Sequence, residues 1–366
     1  MHPLSGADPK TFALALWRNG RPSGLRGAGT LALCGASVLG RAPFTAGERV
    51  WMGRKLPLAG RHAPPIFILG HWRSGTTHLY NIMARGGFAY VPPVATGLPW
   101  DMFGLGRWFR PLLERALPKH RYIDNIPVNP DSPQEDEIAI ANMCDLSFYH
   151  GLYFPRRFER AFNRGVFFDG CTDRDIAVWQ DRFRHLLAKL SLQFGGQRLL
   201  IKNPVHTARI AVLQSMWPDA AFIHIHRSPY AVFQSMRNFY AKLLRQFAVQ
   251  DYGHIDIDDH ILTTYARMMQ RFDAERPGVA DNRFVEIGYA DLMADPLAAL
   301  AAVYDRLGLT GFDDAKPGFD AYLQTVTRYQ KNTYAYSAAD AALVEARCQP
   351  WIDRWGYTRP GDGQPV

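Results

Sequence analysis

The chain has 366 residues, 47% of them hydrophobic and 21% charged, which suits one large folded domain or two small ones and excludes disordered and fibrous classes. A net charge of +8 favours anionic partners. The arginines, however, are spread along the chain, and no RRM, zinc-finger or homeodomain pattern occurs, so nucleic acid is not an expected partner. Cys34, Cys144, Cys171 and Cys348 form neither a CxxC pair nor a disulfide scaffold. This leaves out a structural zinc site of the usual spacing and points to a reducing, cytoplasmic setting.

Residues 1–60 read as a helical N-terminal extension. The apolar run GTLALCGASVLG lies between Arg26 and Arg41, and the 14 residues between those arginines fall short of the roughly 20 that a spanning helix needs. Basic sequence before the run fits a signal peptide poorly. Arg18, Arg21, Arg26, Arg41, Arg49, Arg54 and Lys55 are interleaved with Leu, Trp and Val. Two readings follow with equal weight: an interfacial helix on an anionic membrane, or a helix packed on the domain.

Residues 61–366 read as the catalytic domain. In PPIFILGHWRSGTTHLYNIMAR a β-rich run, Ile66–Leu69, breaks at Gly70 and resumes as a helix from Thr76. Strand, glycine-containing loop and helix is a layout in which backbone N–H groups and a helix N-terminus cradle an anion. Gly70 and Gly75 have Walker A spacing and Thr77 fills the Ser/Thr slot, but Thr76 stands where the lysine belongs. The cation comes earlier, as Arg73. That argues against a nucleoside triphosphatase, whose lysine reaches the β- and γ-phosphates.

Between residues 90 and 195 aromatics are many and strand signals few, so a helical cap over an acceptor is expected there. Within it, NPDSPQEDEIAIANMCD has Ser132 and Glu135 spaced as a capping box, with Pro133 at the first helical position. Glu135 and Glu137 are also candidates for a general base. Further on, an apolar run ends in Lys202-Asn203-Pro204, followed by His206, a second candidate base. A β-run, Ala221–His226, then leads into Arg227-Ser228-Pro229 and a helix carrying Ser235. An arginine there suits bidentate phosphate binding. His224 and His226 share a strand face and read as packing groups in preference to metal ligands. The segment DYGHIDIDDHI, 251–261, reads as a surface loop.

WRSGTT resembles the 5′-phosphosulfate loop of sulfotransferases that use 3′-phosphoadenosine 5′-phosphosulfate (PAPS). The eight-residue spacing of Arg227 and Ser235 resembles their 3′-phosphate site. Lys202, 25 residues before Arg227, matches the lysine those enzymes place beside the bridging oxygen, and GYADLMADP resembles a further family segment with Ala290 where a Glu is common. The resemblance covers about residues 64–355. It implies an α/β, three-layer fold with a central parallel sheet, a P-loop-like phosphate-binding loop and a helical cap insertion. By the same resemblance PAPS is the co-substrate without a metal, held by Arg73, Ser74, Gly75, Thr76, Thr77, Arg227 and Ser235, with Lys331 and Asn332 in a loop closing over the 3′-phosphate. Lys202 and Arg73 would stabilise the leaving group. The acidic cluster resembles a P-Q-E-D-E stretch of bacterial members, which favours it slightly over His206 as the base. The acceptor would be a hydroxyl or amine on a lipid, sterol-like, phenolic or carbohydrate molecule, and the sequence leaves the oligomeric state open. A P-loop kinase and a non-catalytic nucleotide-binding module stand as alternatives.

Overall fold

The computed structural model describes residues 2–55, 63–108, 111, 132–326 and 336–361. In chain order the elements used below are α1 (Pro9–Asn19), α2 (Gly24–Lys55), β1 (Ile66–Leu69), α3 (Thr76–Met83), α4 (Glu137–Met143) and α5 (Asp173–Gln193). They continue with β2 (Leu200–Lys202), β3 (Ala221–His226), α6 (Pro229–Phe247), α7 (Ile257–Glu275), β4 (Phe284–Gly288), α8 (Tyr289–Ala294) and α9 (Ala338–Arg354). The chain divides into two compact units. One comprises Met1–Ala63, Ala89–Leu199 and Lys242–Ile255, the other Pro64–Phe88, Leu200–Ala241 and Asp256–Val366. The N-terminal segment shares its unit with the helical stretch 89–199.

The second unit is built on a four-stranded parallel sheet in the order β2-β1-β3-β4. Strands β1 and β2 are buried throughout and uniformly apolar except for Lys202, as expected of a parallel sheet covered on both faces by flanking helices. Register pairs Ile68 with Lys202 on one side and Ile223 on the other, so the C-terminal ends of β1, β2 and β3 lie abreast. In open α/β sheets that edge is where ligands bind. Pro229 opens α6 at its first position, where a missing N–H costs nothing.

The first unit is helical among its described residues, apart from an isolated bridge between Ala89 and Leu199. Asp8 caps α1, its carboxylate accepting from Thr11 N at 2.8 Å. Helix α2 buries Gly27, Leu31, Cys34, Val38, Thr45, Glu48 and Met52, a stripe at spacings of three, four and seven. Its polar side chains on that face are engaged. Arg41 binds Asp101 and the carbonyls of Ser5 and Ala7, while Glu48 accepts Lys189 Nζ at 2.6 Å and Gly104 N at 2.7 Å. Lys189 and Glu48 are both buried, so they form an ion pair that neither partner could leave without stranding the other.

Two local expectations give way. The capping box at Ser132 does not form: residues 132–135 are not helical, Gln134 N donates to Val91 O at 2.8 Å, and α4 begins only at Glu137. The backbone bond to Val91 takes the Gln134 N–H that the box would have wound into a first helical turn. The segment 251–261 is a loop only in its first half. From Ile257 it is the first turn of α7, capped by the Asp256 carboxylate accepting from Asp259 N.

Candidate active site

The loop after β1 owes its shape to two glycines. Gly70 has φ 141°, and a Cβ there would lie 2.7 Å from Ser74 Oγ; its N–H donates to Thr207 Oγ1 at 2.8 Å. Gly75 has φ 101° and caps α3; a Cβ there would lie 2.8 Å from Tyr289 Cε2 and nearer still to Cδ2. Neither position tolerates a side chain without strain. Arg73, with φ 69°, is held in the left-handed region although it is not glycine. Such strain persists where surrounding contacts over-determine the backbone, and it clusters at ligand sites.

Those contacts are visible. Arg73 Nε donates to Ser235 Oγ on α6 at 2.8 Å, and Arg227 Nη1 donates to the Arg73 carbonyl at 3.2 Å. The Arg227 guanidinium also sits over the Tyr289 ring, 4.6 Å from its centroid. Lys202 is buried at the end of β2, and its Nζ lies 3.1 Å from Thr77 Oγ1 on α3. Two motifs more than 150 residues apart thus meet at the ends of adjacent parallel strands, with a lysine on the third. Ser74 is buried and its Oγ has no hydrogen-bond partner among the described residues. A buried hydroxyl in that state costs free energy unless something satisfies it. Glycine backbone, a helix N-terminus, two guanidinium groups, an ammonium and this hydroxyl fit a compact, multiply charged anion.

With this geometry, the comparison with known proteins is decisive. A family model described as "Sulfotransferase family" matches residues 64–314. The chain belongs to the sulfotransferase family. It is 31% identical over 312 residues to the omega-hydroxy-beta-dihydromenaquinone-9 sulfotransferase Stf3 of Mycobacterium bovis and of Mycobacterium tuberculosis, covering 85% of this chain and 80% of each relative. Its fold is similar to that of two solved structures. For the sulfotransferase STF1 from Mycobacterium tuberculosis the TM-score is 0.65 at 19% identity, over 94% of this chain and 93% of that one. For STF9 from Mycobacterium avium it is 0.67 at 16% identity, over 98% of both. The sulfotransferase is accordingly an enzyme that transfers a sulfuryl group, on an α/β fold with a parallel sheet.

The remaining candidates differ in their surroundings. Glu137 is fully buried in the first unit, where its carboxylate accepts from Phe148 N at 3.3 Å and its carbonyl from Ser147 Oγ at 3.4 Å. Glu135 is half-buried and lies before α4. His206 is fully buried in the short 3-10 helix Pro204–Ala208, its ring edge-on to Phe67 with centroids 5.6 Å apart. Lys331 and Asn332 lie outside the described residues. Of the β3 histidines, His224 stacks on Phe272 at 4.1 Å and bonds Glu286 at 2.7 Å, while His226 stacks flat on Trp355 at 4.4 Å and bonds the Tyr357 hydroxyl at 2.7 Å. Both are packed within the second unit.

Sequence reasoning passed over two contributors. Thr207 anchors the loop through Gly70 N, and Tyr289 forms a wall against Gly75 while lying under Arg227. Tyr289 sits inside the GYADLMADP segment, where attention to the missing acid at Ala290 hid the aromatic one residue before it.

Proposed function

We propose that the enzyme takes its sulfuryl group from PAPS and passes it to a hydroxyl on a lipid-like acceptor. The observation that carries the donor assignment is the meeting of Arg73, Ser235 and Arg227 at the ends of β1 and β3. One anion site there suits a 5′-phosphosulfate and the other a 3′-phosphate. Ser74, Gly75, Thr76 and Thr77 would hold the 5′ end through the loop and the start of α3, and Arg227 with Ser235 would hold the 3′ end. Lys331 and Asn332 keep the role the family resemblance implies, closing over the 3′-phosphate. The lipid-like acceptor is supported by the 31% identity to an enzyme named for a hydroxylated menaquinone.

In the transfer, the acceptor oxygen forms a bond to sulfur as the bond from sulfur to the bridging oxygen of the donor breaks. The electron pair stays on that oxygen, leaving adenosine 3′,5′-bisphosphate. Lys202 and Arg73 meet the charge developing there, which their fixed positions allow without reorganisation at the moment of reaction. The acceptor proton goes to a base. Glu135 is the better candidate, because Glu137 already accepts from the Phe148 amide and His206 is fully enclosed.

Calorimetric titration with adenosine 3′,5′-bisphosphate, beside ATP with magnesium, tests the donor assignment. Metal-independent binding of the bisphosphate that is lost in Arg227→Ala is the expected result. Preference for ATP with magnesium would overturn it in favour of a kinase.

A further inference from the structure

Helix α2 leaves one face bare. Between residues 28 and 47 eleven positions are exposed, and every one is Ala, Gly, Pro, Leu or Phe. Leu25 (93% exposed), Leu33 (75%) and Leu39 (70%) stand on it with Phe44, Val50 and Trp51. From Leu25 to Trp51 this face runs for about 40 Å at 1.5 Å per residue. Between residues 28 and 47 the polar side chains point elsewhere: Thr30 Oγ1 donates to Arg26 O, Ser37 Oγ to Ser5 O, Arg41 is held by Asp101, and Thr45 Oγ1 bonds Asp101; beyond them Arg49 is exposed but paired with Asp8. A solvent-facing helix normally carries charge on its outer side, so a stripe with no exposed charge from residue 28 to 47 marks a docking surface.

Charge at its ends says what docks. Arg26 at one end and Arg54 and Lys55 at the other are exposed, as are Lys10 and Arg21 nearby in the chain. Residues 2–55 hold only two acids, Asp8 and Glu48. Both are buried, the first bound by Arg49 and the second by Lys189. A second copy of the chain is therefore a poor occupant. Antiparallel pairing of two α2 helices would set Arg26 against Arg54 and Lys55, and parallel pairing would set each cation against itself, with no exposed acid on either helix to pair. An anionic bilayer surface complements both features: the apolar stripe enters the headgroup boundary, Trp51 sits at the interface, and the flanking cations meet lipid phosphates. No described helix is long and apolar enough to cross a membrane.

We propose that α2 lies in the plane of an anionic membrane and docks the enzyme on it through its Leu25–Trp51 face. The face belongs to the first unit alone and does not depend on the donor and acceptor assignments. The test is sedimentation of the full-length protein with vesicles of phosphatidylcholine alone and of phosphatidylcholine mixed with phosphatidylglycerol. Binding to the mixed vesicles, weakened by salt, is expected. Leu33→Glu with Leu39→Glu should reduce it roughly 100-fold, from the lost burial of two leucines. Arg54→Gln with Lys55→Gln should reduce it roughly 30-fold. Circular dichroism melting checks that the variants fold. If the double glutamate variant does not fold, the double glutamine variant, confined to exposed side chains, decides. Absence of vesicle binding overturns the proposal. So does equal binding to both vesicle types, or a concentration-dependent dimer that Leu33→Glu with Leu39→Glu dissolves.

Discussion

Replacing Lys202 by Met separates leaving-group stabilisation from donor binding. The lysine is 1% exposed, and its Nζ lies 3.1 Å from Thr77 Oγ1 at the mouth of the phosphate loop. Methionine keeps the aliphatic volume and removes a buried ammonium, so stability should hold or rise. A full charge about 4 Å from the ammonium is worth about 4 kcal/mol at an effective dielectric of 20. Half a charge, developed only in the transition state, gives about 2 kcal/mol, or roughly 30-fold in rate. Removing one preorganised donor from an oxyanion site costs as much as about 1000-fold. Lys202→Met should thus lower kcat between roughly 30- and 1000-fold at saturating donor and acceptor. Bisphosphate affinity should fall by less than about 10-fold, because both guanidinium groups and the loop amides remain. The assays are steady-state transfer of labelled sulfuryl group and calorimetry on the same preparation. Turnover within about 3-fold of wild type, below the half-charge figure, would refute the assignment. A fall in bisphosphate affinity with kcat unchanged would make Lys202 a binding residue and nothing more.

Gly75→Ala must adopt a left-handed φ and push against Tyr289, which costs at least about 1–2 kcal/mol; bisphosphate binding measured by calorimetry should weaken even where the protein still folds. Lys189→Met strands Glu48 in the first unit and should destabilise by about 3–5 kcal/mol in urea unfolding, with Glu48→Gln added to it recovering part of the loss. Glu135→Gln should lower kcat by about 100-fold with bisphosphate binding unchanged, and normal turnover in that variant would move the base elsewhere. Burial pushes the His71 imidazole down to about 4 from its ordinary 6.5, the bond to the Trp72 carbonyl opposing and His260 assisting. Below pH 6.5 the unfolded chain takes up that proton and the folded one does not, so stability falls through the window from 6.5 to 4, by about 2 kcal/mol at pH 5. In thermal melts across this range wild type should lose stability relative to His71→Phe as pH drops, and a constant difference would refute the shift.

Legibility in the sequence follows from where local signals govern the backbone. The bounds of β1 and β3 and the first residues of α3 and α6 are readable because Gly70, Gly75 and Pro229 dictate φ or remove a donor where each element changes. The family resemblance marks Arg73 and Ser235 as parts of separate anion motifs, and their direct bond is not legible, since no local rule joins residues 162 positions apart. Signals fail where a distant backbone group competes. Ser132 and Glu135 have capping-box spacing, yet Gln134 N bonds Val91 O and residues 132–135 are not helical. The aspartates at 256–259 look like a loop by composition, and Asp256 is in fact a helix cap, a use composition does not reveal. For α2 the packed face is legible as the stripe at Leu31, Cys34 and Val38, and the opposite face stays bare.

The histidines on β3 show how this site keeps its charge constant. His226 directly precedes Arg227, and a protonated ring there would add a titrating cation to the proposed anion site. Burial instead pushes it down to about 4, with Glu286 pulling the other way, and it lies flat on Trp355 as a neutral aromatic. Burial likewise opposes ionisation of Glu286, but its bonds to His224 and Trp355 hold it down at about 2, so it is anionic across the physiological range. His71, next to the loop, is neutral by the same desolvation. The cations left at the strand ends include Arg73 and Arg227, and a guanidinium keeps its charge at any pH where the protein is folded. Imidazoles in those places would tune anion affinity with pH. Arginines on a strained loop, backed by neutral rings, instead fix both the charge and its geometry, which is what in-line transfer to a bound acceptor demands.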